Sequence, residues 1–198
     1  MDIRGIIFDL DDTLIRSGLD FDAIRQDMGL QPGQLILESI EQMDDPKRQA
    51  DCLRILREHE LRSAHQSTLI PGVTDFLSDL QAREVKTAVL TRNSRETVSI
   101  VFERLDLNFS IALTREDAPP KPDPSGLEMI CQQWGVESSQ VLFFGDFGFD
   151  IQAGQRAGIH TVLFAPGDLP EFASEADSVL RDYSAAAALI DQLSRGCK

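Results

Sequence analysis

The sequence predicts an α/β protein with a doubly wound parallel sheet. Short apolar runs recur along the chain, and most of them lack polar alternation, which is typical of parallel strands that are covered on both faces. Segments with apolar residues at the helical spacing i, i+3, i+4, i+7 separate the later runs. Because strands and helices alternate in this way, a doubly wound sheet is the expected architecture.

The individual elements follow from the same patterns. The predicted strands are Ile3–Phe8, Lys86–Leu90, Ser110–Leu113, Val141–Phe144 and His160–Phe164. Helical spacing of apolar residues begins at Val73, Val98 and Leu127, and Gly135 is the expected C-cap of the last of these helices. In doubly wound folds the chemistry collects at the carboxyl ends of the strands, near the topological switch point.

The segment from about residue 16 to residue 69 interrupts the alternation. It contains no convincing strand, and Gly and Pro residues divide it into about three predicted helices. These helices lie near Phe21–Met28, near Gln34–Met43 and over Pro46–Gln66. Because the segment follows directly on the first strand, a helical lid over that strand's end fits better than an unrelated module. We therefore predict a core over residues 1–15 and 70–198 and a helical cap over residues 16–69.

Composition and charge restrict the classes of function. The 198 residues are 42% hydrophobic and 26% charged, which is a globular composition and excludes a disordered chain. The net charge of −14 disfavours nucleic acid and anionic membrane as partners.

The cellular location is predicted from two features that the sequence does not show, a signal peptide and a membrane-spanning run. Charges in the first apolar run argue against a signal peptide, and no uncharged apolar run approaches the roughly 18 residues needed to span a bilayer. Cys52, Cys131 and Cys197 lack CxxC spacing and are expected to be reduced thiols. We expect a cytoplasmic protein.

The most informative stretch is Phe8-Asp9-Leu10-Asp11-Asp12-Thr13-Leu14, which follows a buried apolar run. Side chains two apart on a strand point the same way, so Asp9 and Asp11 are expected to lie close together. Two adjacent carboxylates repel each other, and their burial is costly unless a cation lies beside them. The pattern therefore indicates a site for a hard cation in which one acid is available as a nucleophile.

Two other predicted strands are also followed by polar groups. Thr91-Arg92-Asn93 follows the second strand, and a Thr hydroxyl with the amides of a helix start is suited to hold an oxyanion or a phosphate. Thr91 alone would equally fit a turn residue, and Asn93 would cap the next helix. Lys121 lies in a proline-rich loop just before a helix start, where most lysines are simply solvated.

The fourth strand meets Gly145-Asp146, and Asp150 follows four residues later around a helix start. Capping of that helix is the common explanation for such acids. It competes poorly here because several strand ends would carry polar groups on the same edge of one sheet. Mg²⁺ takes about six oxygens, typically from one or two carboxylates with waters and a substrate phosphate. Asp9, Asp11 and Asp146 can furnish such a set.

Together, these segments resemble the four motifs of the haloacid dehalogenase-like hydrolase superfamily, in the same order and at the expected strand ends. The matching residues are Asp9-x-Asp11-x-Thr13, Thr91, Lys121 and Gly145-Asp146-x-x-x-Asp150. Pro71-Gly72-Val73 and Ala153-Gly154-x-x-Ala157-Gly158-Ile159 resemble the phosphoglycolate phosphatase-like branch, in which a helical cap lies between the first two motifs. The core resemblance covers roughly residues 1–15 and 70–175.

The resemblance implies roles for the acidic residues. Asp9 would attack phosphorus and form an aspartyl-phosphate, and Asp11 would be the general acid and base. Mg²⁺ would lie on the Asp9 carboxylate, on Asp11 through a backbone carbonyl, and on Asp146. Asp150 would orient Lys121 or a metal-bound water.

The resemblance also implies phosphate contacts. Thr91 and Lys121 would hold the phosphoryl oxygens, and Arg92 and Asn93 are further candidates for phosphate contacts. Many relatives carry Asn at position 92, so Arg92 displaces Asn93 by one residue from the usual substrate-facing position.

The function implied is that of a Mg²⁺-dependent phosphatase acting on a small phosphorylated metabolite, as a monomer or a homodimer. A phosphomutase resembling β-phosphoglucomutase shares every core motif and stays open as an alternative. A catalytically silent binding protein is a second alternative, although its expected mark would be the loss of Asp9, Asp11, Lys121 or Asp146. A 2-haloacid dehalogenase is disfavoured because Asp11 is present.

Overall fold

Strands and helices alternate along most of the chain in the computed structural model, which describes residues 1–195. The first half consists of β1 (Gly5–Phe8), β2 (Ile15–Arg16), α1 (Phe21–Met28), α2 (Ile36–Glu41), α3 (Pro46–Gln66), β3 (Thr68–Leu69), α4 (Val73–Ala82), β4 (Lys86–Leu90) and α5 (Arg95–Leu105). The second half consists of β5 (Ile111–Leu113), α6 (Ser125–Trp134), β6 (Val141–Gly145), α7 (Gly148–Ala157), β7 (His160–Phe164), β8 (Ser178–Leu180) and α8 (Ala186–Arg195).

Within residues 1–195, six strands form one parallel sheet in the order β5-β4-β1-β6-β7-β8. The central strand β1 pairs with β4 on one side and β6 on the other, with Phe8 opposite both Val89 and Phe144. Successive β1 residues point to opposite faces, so Ile6 packs with α4, α5 and α8 while Ile7 packs with α6 and α7. The predicted doubly wound α/β fold is confirmed.

The sixth strand, β8, is absent from the prediction. It pairs with β7 at the edge of the sheet, has only three residues, and exposes 36% of Val179. A short edge strand that faces solvent carries no continuous apolar run, so the criterion that found the buried strands did not detect it. The first and third predicted strands also begin slightly later than expected, at Gly5 and Ile111.

The segment between β2 and β3 contains the three predicted helices, of which the second is shorter than expected. Their apolar side chains form a cluster of their own, with Ile24, Ile40 and Leu56 among its buried members. The expectation that residues 16–69 contain no strand is wrong at both ends, because β2 and β3 pair antiparallel. The exact boundaries of core and cap stay a prediction.

Helix α3 lies against α5, which brings the three-helix segment over the end of the sheet. Cys52 and Cys131 are buried and free, and Cys197 lies outside the described residues. None of the helices described in residues 1–195 combines the length and apolarity needed to cross a membrane.

Candidate active site

The carboxyl ends of three neighbouring strands bring Asp9, Thr91 and Asp146 to the same edge of the sheet. Asp9 follows β1, and its backbone N–H donates to the Phe144 carbonyl oxygen of β6 at 2.8 Å. Thr91 follows β4, and its N–H donates to the Leu113 oxygen of β5 at 3.0 Å. These bonds continue the parallel ladders past the strand ends, so the backbone of the site is fixed by the central strands of the sheet.

Lys121 reaches this edge from the loop before α6 and is 3% exposed. Its ammonium donates to Oδ1 of Asp9 and lies 2.6 Å from Oδ1 of Asp150. Burial alone lowers the pKa of Lys121, but the Asp150 and Asp9 carboxylates raise it above its ordinary value. Lys121 is therefore a buried cation at neutral pH. Asp150 thus contacts Lys121, and its role in orienting Lys121 or a metal-bound water stays a prediction.

Asp9, Asp146 and Asp150 form an acidic cluster in which one oxygen of each residue lies within 4.8 Å of the others. Burial raises the pKa of Asp146 to about 9, and the charges of Asp9 and Asp150 add to this effect. Burial also raises the pKa of Asp9 to about 7, although Lys121 acts against it. Several hard oxygen donors that resist ionisation beside each other fit a hard divalent cation such as Mg²⁺.

The carboxylate of Asp11 lies outside this cluster. Strand β1 ends at Phe8, and the chain then curls, with the N–H groups of Leu14 and Ile15 both donating to the Leu10 oxygen. Asp9 and Asp11 therefore do not lie on one extended strand, although the charge of Asp11 still acts on Asp9. A contribution of Asp11 to a metal site through its backbone carbonyl stays a prediction.

The Asp11 carboxylate instead faces Asn93 and Ser17. Nδ2 of Asn93 donates to Oδ2 of Asp11. Burial raises the pKa of Asp11 to about 6, while hydrogen bonds from Ser17 and Asn93 act in the opposite direction. Asp9 and Asp11 are thus close in sequence but have different partners.

The sequence suggested that Asn93 caps helix α5, but the structure shows a different N-cap. The N-cap is Ser94, whose Oγ accepts from the Thr97 N–H at 3.2 Å. Because the helix begins one residue later than expected, the Asn93 amide is available to Asp11. Thr91 is 4% exposed, and its Oγ1 accepts from the Asn93 N–H at 3.1 Å. Phosphate contacts by Thr91 and Asn93 stay predictions.

Arg92 contacts the helical segment rather than the acidic cluster. Its Nη2 donates to both carboxylate oxygens of Glu38 in α2, at 2.8 and 2.9 Å, and its Nη1 donates to the backbone oxygen of Lys121. The guanidinium also lies over the Phe149 ring, 4.9 Å from its centroid. Sequence reasoning missed Glu38, because no motif marks a residue whose partner lies 54 positions away.

Known proteins share both the sequence pattern and the fold. The sequence model of a family described as haloacid dehalogenase-like hydrolase matches residues 18–164. A haloacid dehalogenase-like hydrolase domain-containing protein of Arabidopsis thaliana is 31% identical over 173 residues, which cover 81% of this chain and 70% of the relative. The chain belongs to the haloacid dehalogenase-like hydrolases. The resemblance that the four motifs predicted is confirmed, and the protein is a hydrolase.

Two further comparisons refine this assignment. The phosphoglycolate phosphatase of Escherichia coli K12 is 28% identical over 204 residues, covering 81% of each chain, in agreement with the predicted branch of the haloacid dehalogenase-like hydrolases. A crystal structure of a hydrolase from Pseudomonas syringae has the same fold, with a TM-score of 0.81, 22% identity, and 96% and 98% of the two chains covered. The family model leaves out residues 1–17, so the placement of Asp9 and Asp11 rests on the geometry above.

Proposed function

We propose that this hydrolase is a Mg²⁺-dependent phosphatase that cleaves a small phosphate monoester through an aspartyl-phosphate intermediate. The observation that carries the proposal is the buried Asp9 carboxylate, which contacts the Lys121 ammonium and belongs to an acidic cluster with Asp146 and Asp150. A nucleophilic carboxylate beside a fixed cation and a cluster of metal-type donors is suited to phosphoryl transfer. The similarity to a phosphoglycolate phosphatase supports the same reaction class.

In the first proposed step, an Asp9 oxygen attacks phosphorus and the bond from phosphorus to the leaving alkoxide breaks. Asp11 donates its proton to that alkoxide. In the second step, Asp11 accepts a proton from water, and the resulting nucleophile attacks the aspartyl-phosphate and releases inorganic phosphate and Asp9. The Lys121 ammonium and the Thr91 hydroxyl would stabilise the phosphoryl oxygens in both transition states.

Asp9, Asp146 and the backbone carbonyl of Asp11 would hold Mg²⁺, while Asp150 keeps Lys121 in place. When bound, the ion would neutralise part of the negative charge that the phosphate brings to this acidic site. The net charge of −14 makes such local compensation necessary for an anionic substrate. A small phosphorylated metabolite is the proposed substrate, and a monomer or a homodimer is the proposed assembly.

Release of phosphate from p-nitrophenyl phosphate, with Mg²⁺ and with EDTA, tests the proposal. We expect Asp9→Asn to abolish the release, and intact-mass measurement of quenched wild-type protein to show a phosphorylated fraction that this variant lacks. Asp51→Asn is the matched control, because the Asp51 side chain is exposed in helix α3 and, within residues 1–195, contacts none of the proposed site residues. We expect it to keep activity within about threefold, as is usual for exposed sites.

Three results would contradict the proposal. Activity that survives in Asp9→Asn or in EDTA would exclude the proposed nucleophile or metal. Isomerisation of a sugar phosphate with little release of phosphate would indicate a phosphomutase instead. A wild-type protein that binds phosphate esters without cleaving them would indicate a silent binding protein.

A further inference from the structure

An ion pair between Glu38 and Arg92 joins the helical segment to the loop that follows β4. Both Glu38 oxygens accept from Nη2 of Arg92, and the two side chains are 27% and 23% exposed. Such a partly buried, multiply hydrogen-bonded pair holds its geometry better than a solvated one. Glu38 therefore fixes the direction of the Arg92 guanidinium.

The same guanidinium contacts the backbone of the phosphate-site lysine. Nη1 of Arg92 donates to the carbonyl oxygen of Lys121, whose own ammonium is held by Asp9 and Asp150 at the other end of the side chain. Lys121 is therefore held at both ends, and Arg92 is the partner of its backbone. The planar fork of the arginine makes both contacts at once from two different nitrogen atoms.

Arg92 also touches the residue that precedes Asp150. The guanidinium lies over the Phe149 ring, an arrangement that adds a cation–π attraction. The loop of Arg92 is held by a further contact, because Nη1 of Arg115 donates to the backbone oxygen of Arg92 at 3.3 Å. Arg92 thus links α2, the Lys121 loop and the start of α7, which carries Asp150.

A second ion pair between the same two parts of the protein lacks these connections. Arg57 of α3 and Glu96 of α5 form two hydrogen bonds of 2.7 Å, but their side chains are 53% and 46% exposed. Neither side chain contacts Lys121 or its partners among the hydrogen bonds of residues 1–195. This pair joins cap to core without reaching the site, and it is a natural control.

We propose that Glu38 and Arg92 are positioning residues for Lys121, with Glu38 acting through Arg92. The proposal rests on the proposed phosphatase function, in which the Lys121 ammonium stabilises the phosphoryl oxygens. Glu38 orients the guanidinium, and the guanidinium holds the Lys121 backbone so that the ammonium is aligned for the transition state. The placement of the catalytic lysine then depends on the helical segment being docked on the core.

A double-mutant cycle tests this proposal, with Glu38→Ala, Arg92→Ala and the double variant assayed on p-nitrophenyl phosphate. A shift of about 1 Å in a catalytic group costs up to about 100-fold, so we expect Arg92→Ala to lower kcat by about 10- to 100-fold. KM should change less than about threefold, because the interaction acts mainly in the transition state. Because Glu38 acts through Arg92, the double variant should be no slower than Arg92→Ala.

Controls separate positioning from general stability. Arg57→Ala and Glu96→Ala remove an ion pair between the same two parts, and we expect them to leave kcat within about twofold. Millimolar guanidinium should restore part of the kcat of Arg92→Ala and none of that of Asp9→Asn. If Arg92→Ala fails to fold, Glu38→Gln provides the second variant, with a smaller loss of kcat at an unchanged melting temperature.

The outcomes are distinguishable from failure of the phosphatase proposal itself. A wild-type protein that releases no phosphate overturns the proposed function. A wild-type phosphatase whose kcat is unchanged in Arg92→Ala overturns only the positioning role. Losses that multiply in the double variant also overturn it, because Glu38 would then not act through Arg92. An equal loss of kcat in Arg57→Ala overturns it as well, because the effect would then not be specific to the contacts of Arg92.

Discussion

Replacement of Gly145 by alanine tests how closely Asp150 must approach the end of β6. A Cβ at position 145 would lie 2.3 Å from Cβ of Asp150 and 2.4 Å from its Cγ. Asp150 has little freedom to move away, because it is 2% exposed, its Oδ2 accepts from the Phe147 N–H at 3.0 Å, and its Oδ1 lies 2.6 Å from Nζ of Lys121. The glycine is therefore required for the contact between Asp150 and Lys121.

The size of the effect follows from these distances. Ordinary carbon contacts begin near 3.4 Å, so the side chain of Asp150 must shift by roughly 1 Å to accept the new methyl group. A shift of that size breaks the ion pair of Asp150 with Lys121, and misplacement of this order costs about 100-fold in kcat. Overpacking at a buried site also lowers the free energy of unfolding, by about 1–3 kcal/mol.

The assay pairs urea unfolding with hydrolysis of p-nitrophenyl phosphate, and Gly148→Ala is the matched control. A Cβ at position 148 would meet its nearest neighbour, a ring carbon of Phe172, at 3.7 Å, which is ordinary contact. We expect Gly148→Ala to stay within about 0.5 kcal/mol of the wild type and to retain its kcat. If Gly145→Ala kept kcat within about twofold of the wild type, the argument from close approach would be refuted.

Three further predictions concern charge. Asp146→Asn should have a higher melting temperature than the wild type in EDTA at pH 8, because it removes a carboxyl whose pKa burial raises to about 9. The variant should also lose the stabilisation by Mg²⁺. A melting temperature in EDTA that is equal to or lower than that of the wild type would contradict this. The metal-free wild-type protein should lose stability as the pH rises from about 4 towards 9. The reason is that the unfolded chain releases the Asp146 proton near pH 3.8, while the folded protein retains it up to about pH 9. A melting temperature in EDTA that stays constant across this range would refute the argument. Glu60→Gln should lower the free energy of unfolding by about 3 kcal/mol in urea titrations, because the Glu60 side chain is 4% exposed and pairs with Arg115; a loss below about 1 kcal/mol would show that the pair contributes little.

The fold could be predicted where burial leaves a strong pattern in the sequence. Strands β1 and β6 are buried along their whole length and appear as unbroken apolar runs. Strand β8 could not be found in this way, because its pairing with β7 depends on the return of the chain after residue 165 rather than on its own three residues. The pairing of β2 with β3 is similar, since each has only two residues.

The candidate site likewise contains a part that could be predicted from the sequence and a part that could not. The grouping of Asp9, Thr91 and Asp146 could be predicted because parallel strands place their carboxyl ends at one edge. Lys121 lies in a loop, and only the family resemblance predicted its place beside them. The contacts of Asn93 with Asp11 and of Arg92 with Glu38 could not be predicted, because they join residues 82 and 54 positions apart. Both depend on how loops curl and helices dock, which leaves no periodic signal in the sequence.

The different partners of Asp9 and Asp11 are what the two proposed roles require. The proposed nucleophile Asp9 lies against the buried Lys121 ammonium, which favours the charged form and acts against the burial that raises the pKa of Asp9 to about 7. A general acid and base must gain and lose a proton in each cycle, which a permanent ion pair with a buried cation would hinder. The hydrogen bonds to Asp11 come from the neutral side chains of Asn93 and Ser17, which orient the carboxylate without forming an ion pair with it. The curl of the chain after Phe8 therefore places two identical side chains in two different electrostatic environments, which in the proposed mechanism would allow one to attack while the other transfers protons.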